Sequence, residues 1–544
     1  MSKPRGAASI RALPSRAFRP RLGTTPAMAS SIAVPVVEVL ADPRRRRART
    51  LRNHRCPIDN RGRQPTTTTT RASSAAAADA QQAEFTKWRD ARDIKSPNVE
   101  VAYFGDPDDT VMRYRGVKAK KKINPGDVLV ELPRESCLVL ADDAELPFPD
   151  FCTNALWSKL VEKNKWALRV ALNLLHETSK GAASPFHAYT SQLPKSFDLL
   201  SEWSDDELKM LQYAPVVRAA EGQRKEDDDA HAMILKLSPS TPVTKEEVTW
   251  ALNMVRSRVF SGRLSDNAET KAKLLPRALA AGTAFATFMT APTKEGRWLA
   301  VFAMLALVVF DQDGNGNDDD DESKKKLAYV LLPLIDAFNH KTMQKTEFEF
   351  SSQAFRLRSP ATYGLDDEVL ISYGLLGNDE LIVRYGFVDA ENEADIYAYE
   401  GLLSWLQANH APMKQSLGAA PDRVAAMRAA RLESYVSMGV LKGDGAADDN
   451  LMWALRTLMA SPEDYAAAGG TVDGMKLGGG APEKAACVAL AAACKARLGS
   501  MPTSAEDDEK ALRAGAAVGR ERTAIEYRLR KKKILQAAVA RYDV

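Results

Sequence analysis

The segment that most constrains this 544-residue chain is Leu331-Leu332-Pro333-Leu334-Ile335-Asp336-Ala337-Phe338-Asn339-His340. It is an apolar run that delivers an adjacent Asn-His pair. Downstream, Glu368-Val369-Leu370-Ile371-Ser372 closes on Tyr373-Gly374, and Leu381-Ile382-Val383-Arg384 leads into Tyr385-Gly386-Phe387. Short apolar runs bounded by turn residues read as buried strands or core helix segments, so the polar residues at their ends are carried into the interior. A lone Asn-His is ordinarily a turn with a surface histidine, and a lone strand tyrosine an amphipathic ring with a satisfied hydroxyl. Three such motifs in one order need a common explanation.

Together they resemble the motifs of SET-domain protein methyltransferases, in particular the branch typified by plastid Rubisco large-subunit lysine methyltransferase. The resemblance covers about residues 96–260 and 328–535. It implies an α+β fold: a SET β-fold of small sheets with a pseudoknot between the Asn339 and Tyr373 segments, a helical insertion, and an all-helical C-terminal substrate-binding domain. It also implies S-adenosylmethionine as cofactor. Tyr373 then matches the catalytic tyrosine beside the transferred methyl, and Tyr385 lines the lysine channel. Asn339 and His340 match the cofactor-holding pair, Arg258 reaches cofactor and substrate, and Asp336 lies near the substrate. The first cofactor motif departs from its usual Gly-x-Gly: the chain has Arg113-Tyr114-Arg115-Gly116, and Tyr114, Arg115 and Gly116 are expected against the cofactor. Losing the first glycine removes backbone freedom there.

The +4 net charge conceals an asymmetry. Residues 1–80 hold 16 Lys/Arg against 4 Asp/Glu, leaving 59 against 67 for the remainder, a mildly acidic body. Such a body gives no reason to expect nucleic acid as a partner. The basic segment, rich in Arg, Ser, Thr and Ala, reads as a disordered transit peptide over 1–80, with plastid ahead of mitochondrion as destination. A basic tail with a nuclear signal at Arg44-Arg45-Arg46-Arg47 is the alternative. The five cysteines (Cys56, Cys137, Cys152, Cys487, Cys494) are scattered, which fits a reducing compartment. Cys487 and Cys494 lie seven apart in a helical pattern and are expected to share a packed face. Six histidines without ligand spacing argue against a zinc site.

A short amphipathic helix over 85–94 opens the SET N-terminal part (84–140), in which Asn124-Pro125-Gly126-Asp127 reads as a hairpin turn between β-branched runs. The insertion (141–260) carries helical periodicity over 166–177, a capping box at Ser204 and a closing helix through Arg256-Ser257-Arg258. The further arginine of the family falls at Gly262, with Arg263 one position late. Residues 261–327 match nothing in the family. Their apolar run 298–310 is too short to span a membrane, and their acidic tract 311–322 fits a calcium-loop pattern at Asp311, Asp313, Asn315, Gly316 and Glu322. Position eight of that loop is Asp318 and no second loop follows, so a solvated acidic loop without metal is expected. The SET C-terminal part spans 328–395 and the helical domain 396–544. There the basic run 528–533 reads as a solvated helix face, or else a site for an acidic partner.

Methyl transfer to an amine requires an in-line approach and an unprotonated acceptor. Deprotonating a free lysine of pKa about 10.4 near pH 8 costs about 3 kcal/mol, a cost that an apolar channel lowers. The expected activity is therefore protein-lysine N-methylation in the chloroplast stroma by a monomer acting on a protein substrate, without membrane or nucleic acid. Rubisco large subunit is one candidate substrate. The alternatives are another acceptor, including histidine, and a catalytically silent SET-derived binding module.

Overall fold

The computed structural model describes residues 68–105, 114–264, 327–409 and 421–544. Helix α1 (Thr68–Ala91) opens the described chain. It starts earlier than the helix expected over 85–94 and takes in residues 68–80 of the segment expected to be disordered. No Gly or Pro interrupts its Ala-rich text, and alanine has the best intrinsic helix propensity. Arg113, the acidic tract and the apolar run 298–310 lie outside the described residues.

Five small sheets follow among the described residues. Strand β1 (Val99–Phe104) pairs antiparallel with β2 (Tyr114–Ala119). Strand β3 (Val128–Pro133) belongs to a sheet with β8 (Glu347–Phe350) and β9 (Ala354–Arg358), in the order β3-β9-β8. The turn between β2 and β3 exists, with the Asp127 amide on the Asn124 carbonyl. It does not close a hairpin, because its two strands join different sheets. The long-range partner β9 outcompetes the sequence neighbour, a choice no local signal encodes.

Strands β4 (Leu138–Ala141) and β5 (Val259–Arg263) flank β6 (Leu327–Leu331). Between β4 and β5 lie the insertion helices α2 (Asn154–Glu162), α3 (Trp166–Ser179), α4 (His187–Thr190), α5 (Asp205–Lys209), α6 (Ala214–Leu237) and α7 (Lys245–Arg258). The expected capping box at Ser204 forms with Glu207, and a second, Thr244 with Glu247, opens α7. Each satisfies two otherwise orphaned N–H groups reciprocally. Two-residue strands β7 (Asn339–His340) and β10 (Leu370–Ile371) pair in parallel, Leu370 against Asn339 and Ile371 against His340. This is the contact the pseudoknot requires.

Helix α8 (Asn378–Tyr385) leads to the C-terminal region, whose strands β11 (Ile396–Glu400) and β12 (Met438–Lys442) form an antiparallel pair. The domain is thus helical with one small sheet, rather than all-helical. Its main helices are α9 (Asp449–Met459), α10 (Gly480–Gly499), α11 (Ala505–Ala514) and α12 (Gly519–Tyr542). Cys494 is buried in α10 and half-buried Cys487 packs on the same core, as their spacing suggested.

Two apolar cores organise the described residues. One gathers the SET strands with α2, α3 and α7; the other gathers the C-terminal helices with Leu200, Trp203, Val216 of the insertion and Ile382 of α8. Helix α8 therefore has one face in the second core while its C-terminus reaches the site.

Apart from exposed Lys533, the basic run on α12 is largely buried and ion-paired rather than a solvated face. Arg528 and Lys532 pair with Asp508, Arg530 with Asp395, Lys531 with Asp379 and Asp395, and Lys533 with Glu509. Lys531 and Lys532 are each 1% exposed. The sequence showed a charged stripe; packing supplied carboxylates from distant segments to neutralise it, as buried charge demands.

Candidate active site

A cavity of about 180 Å³ is lined by Arg115, Ser257, Arg258, Asp336, Ala337, Asn339, Tyr373, Tyr385 and Phe387, closed by Pro194, Phe197 and Leu199 of the insertion. Six expected site residues, Arg115, Arg258, Asp336, Asn339, Tyr373 and Tyr385, thus converge from five separate stretches of chain. Tyr114, Gly116 and His340 stand behind this wall.

Local backbone explains the convergence. Arg258 ends α7 where Val259 turns extended into β5. Buried Leu334 adopts φ +72°, which bends the chain out of β6 into the 3₁₀ turn Ile335–Ala337 that presents Asp336. An L-residue in that region is strained by about 1–2 kcal/mol. Tyr385 is the last residue of α8, and Gly386 caps the helix at φ +77°. A Cβ on Gly386 would lie 2.5 Å from the Asp198 carbonyl oxygen, so both conformation and space demand glycine.

The rings of Tyr373 and Tyr385 face each other at 4.7 Å between centroids. The Tyr373 hydroxyl donates to the Phe338 carbonyl at 2.7 Å, and the Tyr373 backbone N–H donates to His340 Nδ1 at 2.9 Å. Thr342 gives its hydroxyl proton to Asp389 at 2.6 Å, so its oxygen accepts from His340 Nε2 at 3.2 Å. These bonds fix the Nε2–H tautomer. Burial pulls the His340 pKa down to about 4, so the ring is neutral and holds Tyr373 in place as an acceptor. Burial lifts the Tyr373 hydroxyl far above its ordinary value and Tyr385 to about 12. Both therefore stay protonated and cannot serve as bases near neutrality.

Arg258 Nη1 donates to the Asp336 carbonyl at 2.5 Å and faces its carboxylate at 3.5 Å. Tyr189, which sequence reasoning left unassigned, donates its hydroxyl to that carboxylate at 2.9 Å. It sits on α4, and no local signal marks it. The Nε atoms of Arg115 and Arg258 are buried without a partner among the described residues. Burial lowers the Arg115 pKa, with Asp336 and Arg258 the charges that act on it most. Two guanidinium groups against one carboxylate leave the cavity with spare cationic donors. S-adenosylmethionine has a carboxylate to meet them, and neutral His340 and the tyrosines add no charge against its sulfonium. The residues present fit that cofactor.

Tyr114, at the position of the absent glycine, is exposed. It stacks on Phe104 at 5.8 Å and donates its hydroxyl to Glu368 at 2.9 Å, outside the cavity. The substitution therefore does not fill the site. Gly116 keeps its steric role: a Cβ there would lie 2.8 Å from Asn339 Nδ2 and from Glu368 Oε1.

The fold and the site are similar to those of LSMT-like SET-domain methyltransferases. Residues 418–535 match the family model described as Rubisco LSMT substrate-binding. The chain is 21% identical over 444 residues to the chloroplastic [fructose-bisphosphate aldolase]-lysine N-methyltransferase of Arabidopsis thaliana, covering 77% of this chain and 75% of that protein. It is 20% identical over 461 residues to the chloroplastic ribulose-1,5 bisphosphate carboxylase/oxygenase large subunit N-methyltransferase of Nicotiana tabacum, covering 77% and 74%. The solved structure of Rubisco LSMT bound to sinefungin and monomethyllysine superposes with TM-score 0.55 at 20% identity over 85% of this chain and 91% of that one. The SET domain of LSMT bound to lysine and AdoHcy gives 0.54 at 18% identity, over 86% and 91%. These structures share the fold.

Proposed function

We propose that this chain is an S-adenosylmethionine-dependent protein-lysine N-methyltransferase acting on a plastid protein, of which Rubisco large subunit is one candidate. The observation that carries the reading is the cavity in which Tyr373 and Tyr385 face each other beside Arg258, Asp336 and Asn339. The cofactor supplies an electrophilic methyl group on a sulfonium. Arg115, Arg258 and Asn339 would hold it, with Gly116 and Tyr114 shaping the strand behind them and His340 fixing the Tyr373 backbone.

The two tyrosines would form the walls of the lysine channel, with the Tyr373 hydroxyl and the Phe338 carbonyl beside the acceptor nitrogen. The net positive balance of Arg115, Arg258 and Asp336, together with burial, disfavours the ammonium form of the acceptor and so lowers its pKa. Proximity and orientation then supply most of the acceleration. Asp336, held by Tyr189 and Arg258, remains an acceptor at the channel wall. The binding-module alternative drew on Arg113 and Tyr114; Tyr114 lies outside the cavity, and Arg113 lies outside the described residues.

The plastid reading draws on the basic segment 1–80 and on the chloroplastic relatives. Residues 1–80 fused to a fluorescent protein are expected to carry it into plastids; uniform cytosolic or nuclear fluorescence would overturn that part. Incubation with methyl-labelled cofactor and plastid extract, followed by mass spectrometry of the labelled band, tests acceptor and substrate together. Methyl-lysine supports the reading. Methyl-histidine would replace lysine as acceptor, and no label would remove the activity.

A further inference from the structure

Glu368 lies just before the Tyr373 strand and belongs to none of the roles above. Its backbone is fixed against β2, bridging Lys118, with the Val369 N–H on the Val117 carbonyl at 2.8 Å. Its Oε1 accepts from Asn339 Nδ2 at 2.8 Å and its Oε2 from the Tyr114 hydroxyl at 2.9 Å. The same Nδ2 donates to the Arg115 carbonyl at 3.0 Å. Both amide hydrogens of Asn339 are therefore directed at acceptors of the protein, and its Oδ1 must face the other way. A carboxylate and a carbonyl only accept, so neither tolerates the flipped amide. The space for this arrangement exists because residue 116 is glycine. The Glu368 charge is also felt at the Tyr373 hydroxyl.

We propose that Glu368 is a positioning residue for cofactor binding: it locks the Asn339 amide so that Oδ1 is left as an acceptor for an N–H donor of bound S-adenosylmethionine. The inference rests on the proposed reading of the cavity as the cofactor site. Without Glu368 only the Arg115 carbonyl disfavours the flipped amide, so the orientation that offers a donor where an acceptor is required is less strongly excluded.

Isothermal titration of the full chain with S-adenosylmethionine and with S-adenosylhomocysteine tests this, with thermal melts confirming that each variant folds. Glu368→Ala, or Glu368→Ser should the first fail to fold, is expected to weaken both ligands by about tenfold or more, the cost of one misdirected hydrogen bond. Turnover at saturating cofactor should fall less than affinity. Glu368→Gln, whose carbonyl still accepts from Asn339, should stay within about threefold of the parent. Asp366→Ala removes a neighbouring carboxylate that pairs with Lys118 and does not touch Asn339, so it should bind as the parent does. Parent-like affinity in Glu368→Ala would overturn the inference. So would a loss in Glu368→Gln equal to that in Glu368→Ala, or an equal loss in Asp366→Ala, since either would make charge rather than amide orientation the cause. Failure of the unmutated chain to bind either ligand would overturn the cofactor reading and this inference with it.

Discussion

Lys531→Met removes an ammonium held 2.6 Å from Asp379 and 2.8 Å from Asp395, in a network joining α8 to α12. The side chains of Lys531 and Asp395 are 1% and 0% exposed. Breaking a buried pair by removing one partner costs about 3–5 kcal/mol, because a charge is left uncompensated. Asp395 keeps N–H donors from the Asn378 backbone and side chain and from Ile396, while Asp379 keeps the Tyr527 hydroxyl. The expected loss is therefore at the low end, about 3 kcal/mol, or a fall in Tm of about 6–12 °C at 2–4 °C per kcal/mol for a unit of this size.

Burial raises the Asp379 carboxyl above its ordinary value, and Lys531 is the strongest influence holding it down. In the variant that pKa rises further. A carboxyl whose folded pKa exceeds its unfolded one stabilises most at low pH and loses that contribution as pH rises through the folded value. The Tm deficit should therefore be larger at pH 8 than at pH 5, and Lys531→Met with Asp379→Asn should recover part of it. Calorimetric melts of the full chain at both pH values check this. A Tm within about 2 °C of the parent at pH 8, below 1 kcal/mol on the same scale, or a deficit that grows on acidification, would refute the reasoning.

Tyr373→Phe loses the hydroxyl on the Phe338 carbonyl; turnover should fall by about 10²–10³-fold with cofactor affinity little changed, read from single-turnover rates and titration. Gly386→Ala forces a Cβ into the left-handed region and against the Asp198 carbonyl; it should destabilise by about 2–4 kcal/mol, measured by denaturant unfolding. His340 titrates near 4 folded and near 6.5 unfolded. Its stabilising contribution is complete above the unfolded value and is lost as pH falls through the folded one, up to about 3 kcal/mol. Urea midpoints at pH 7 and pH 4.5 should fall less steeply in His340→Gln than in the parent.

Motif order carried the sequence to Tyr373, Tyr385, Asn339 and Asp336 because each ends a short segment of strong local character: an apolar run, a β-branched strand, a helix stopped by Gly386. The capping box at Ser204 and the helix at residue 166 were legible for the same reason, since their determinants lie within one turn of chain. Tertiary structure decided what depends on distant partners. Strand β3 chose β9 over β2, Tyr189 and Glu368 acquired roles through hydrogen bonds spanning 147 residues to Asp336 and 254 to Tyr114, and the basic stripe of α12 was buried against carboxylates from 379, 395 and 508. Periodicity can show that a face is charged, but whether water or a carboxylate meets that face is set by chain segments far away in sequence. The cavity itself is of this second kind, because six side chains from five stretches acquire a common chemistry only once the fold has brought them together.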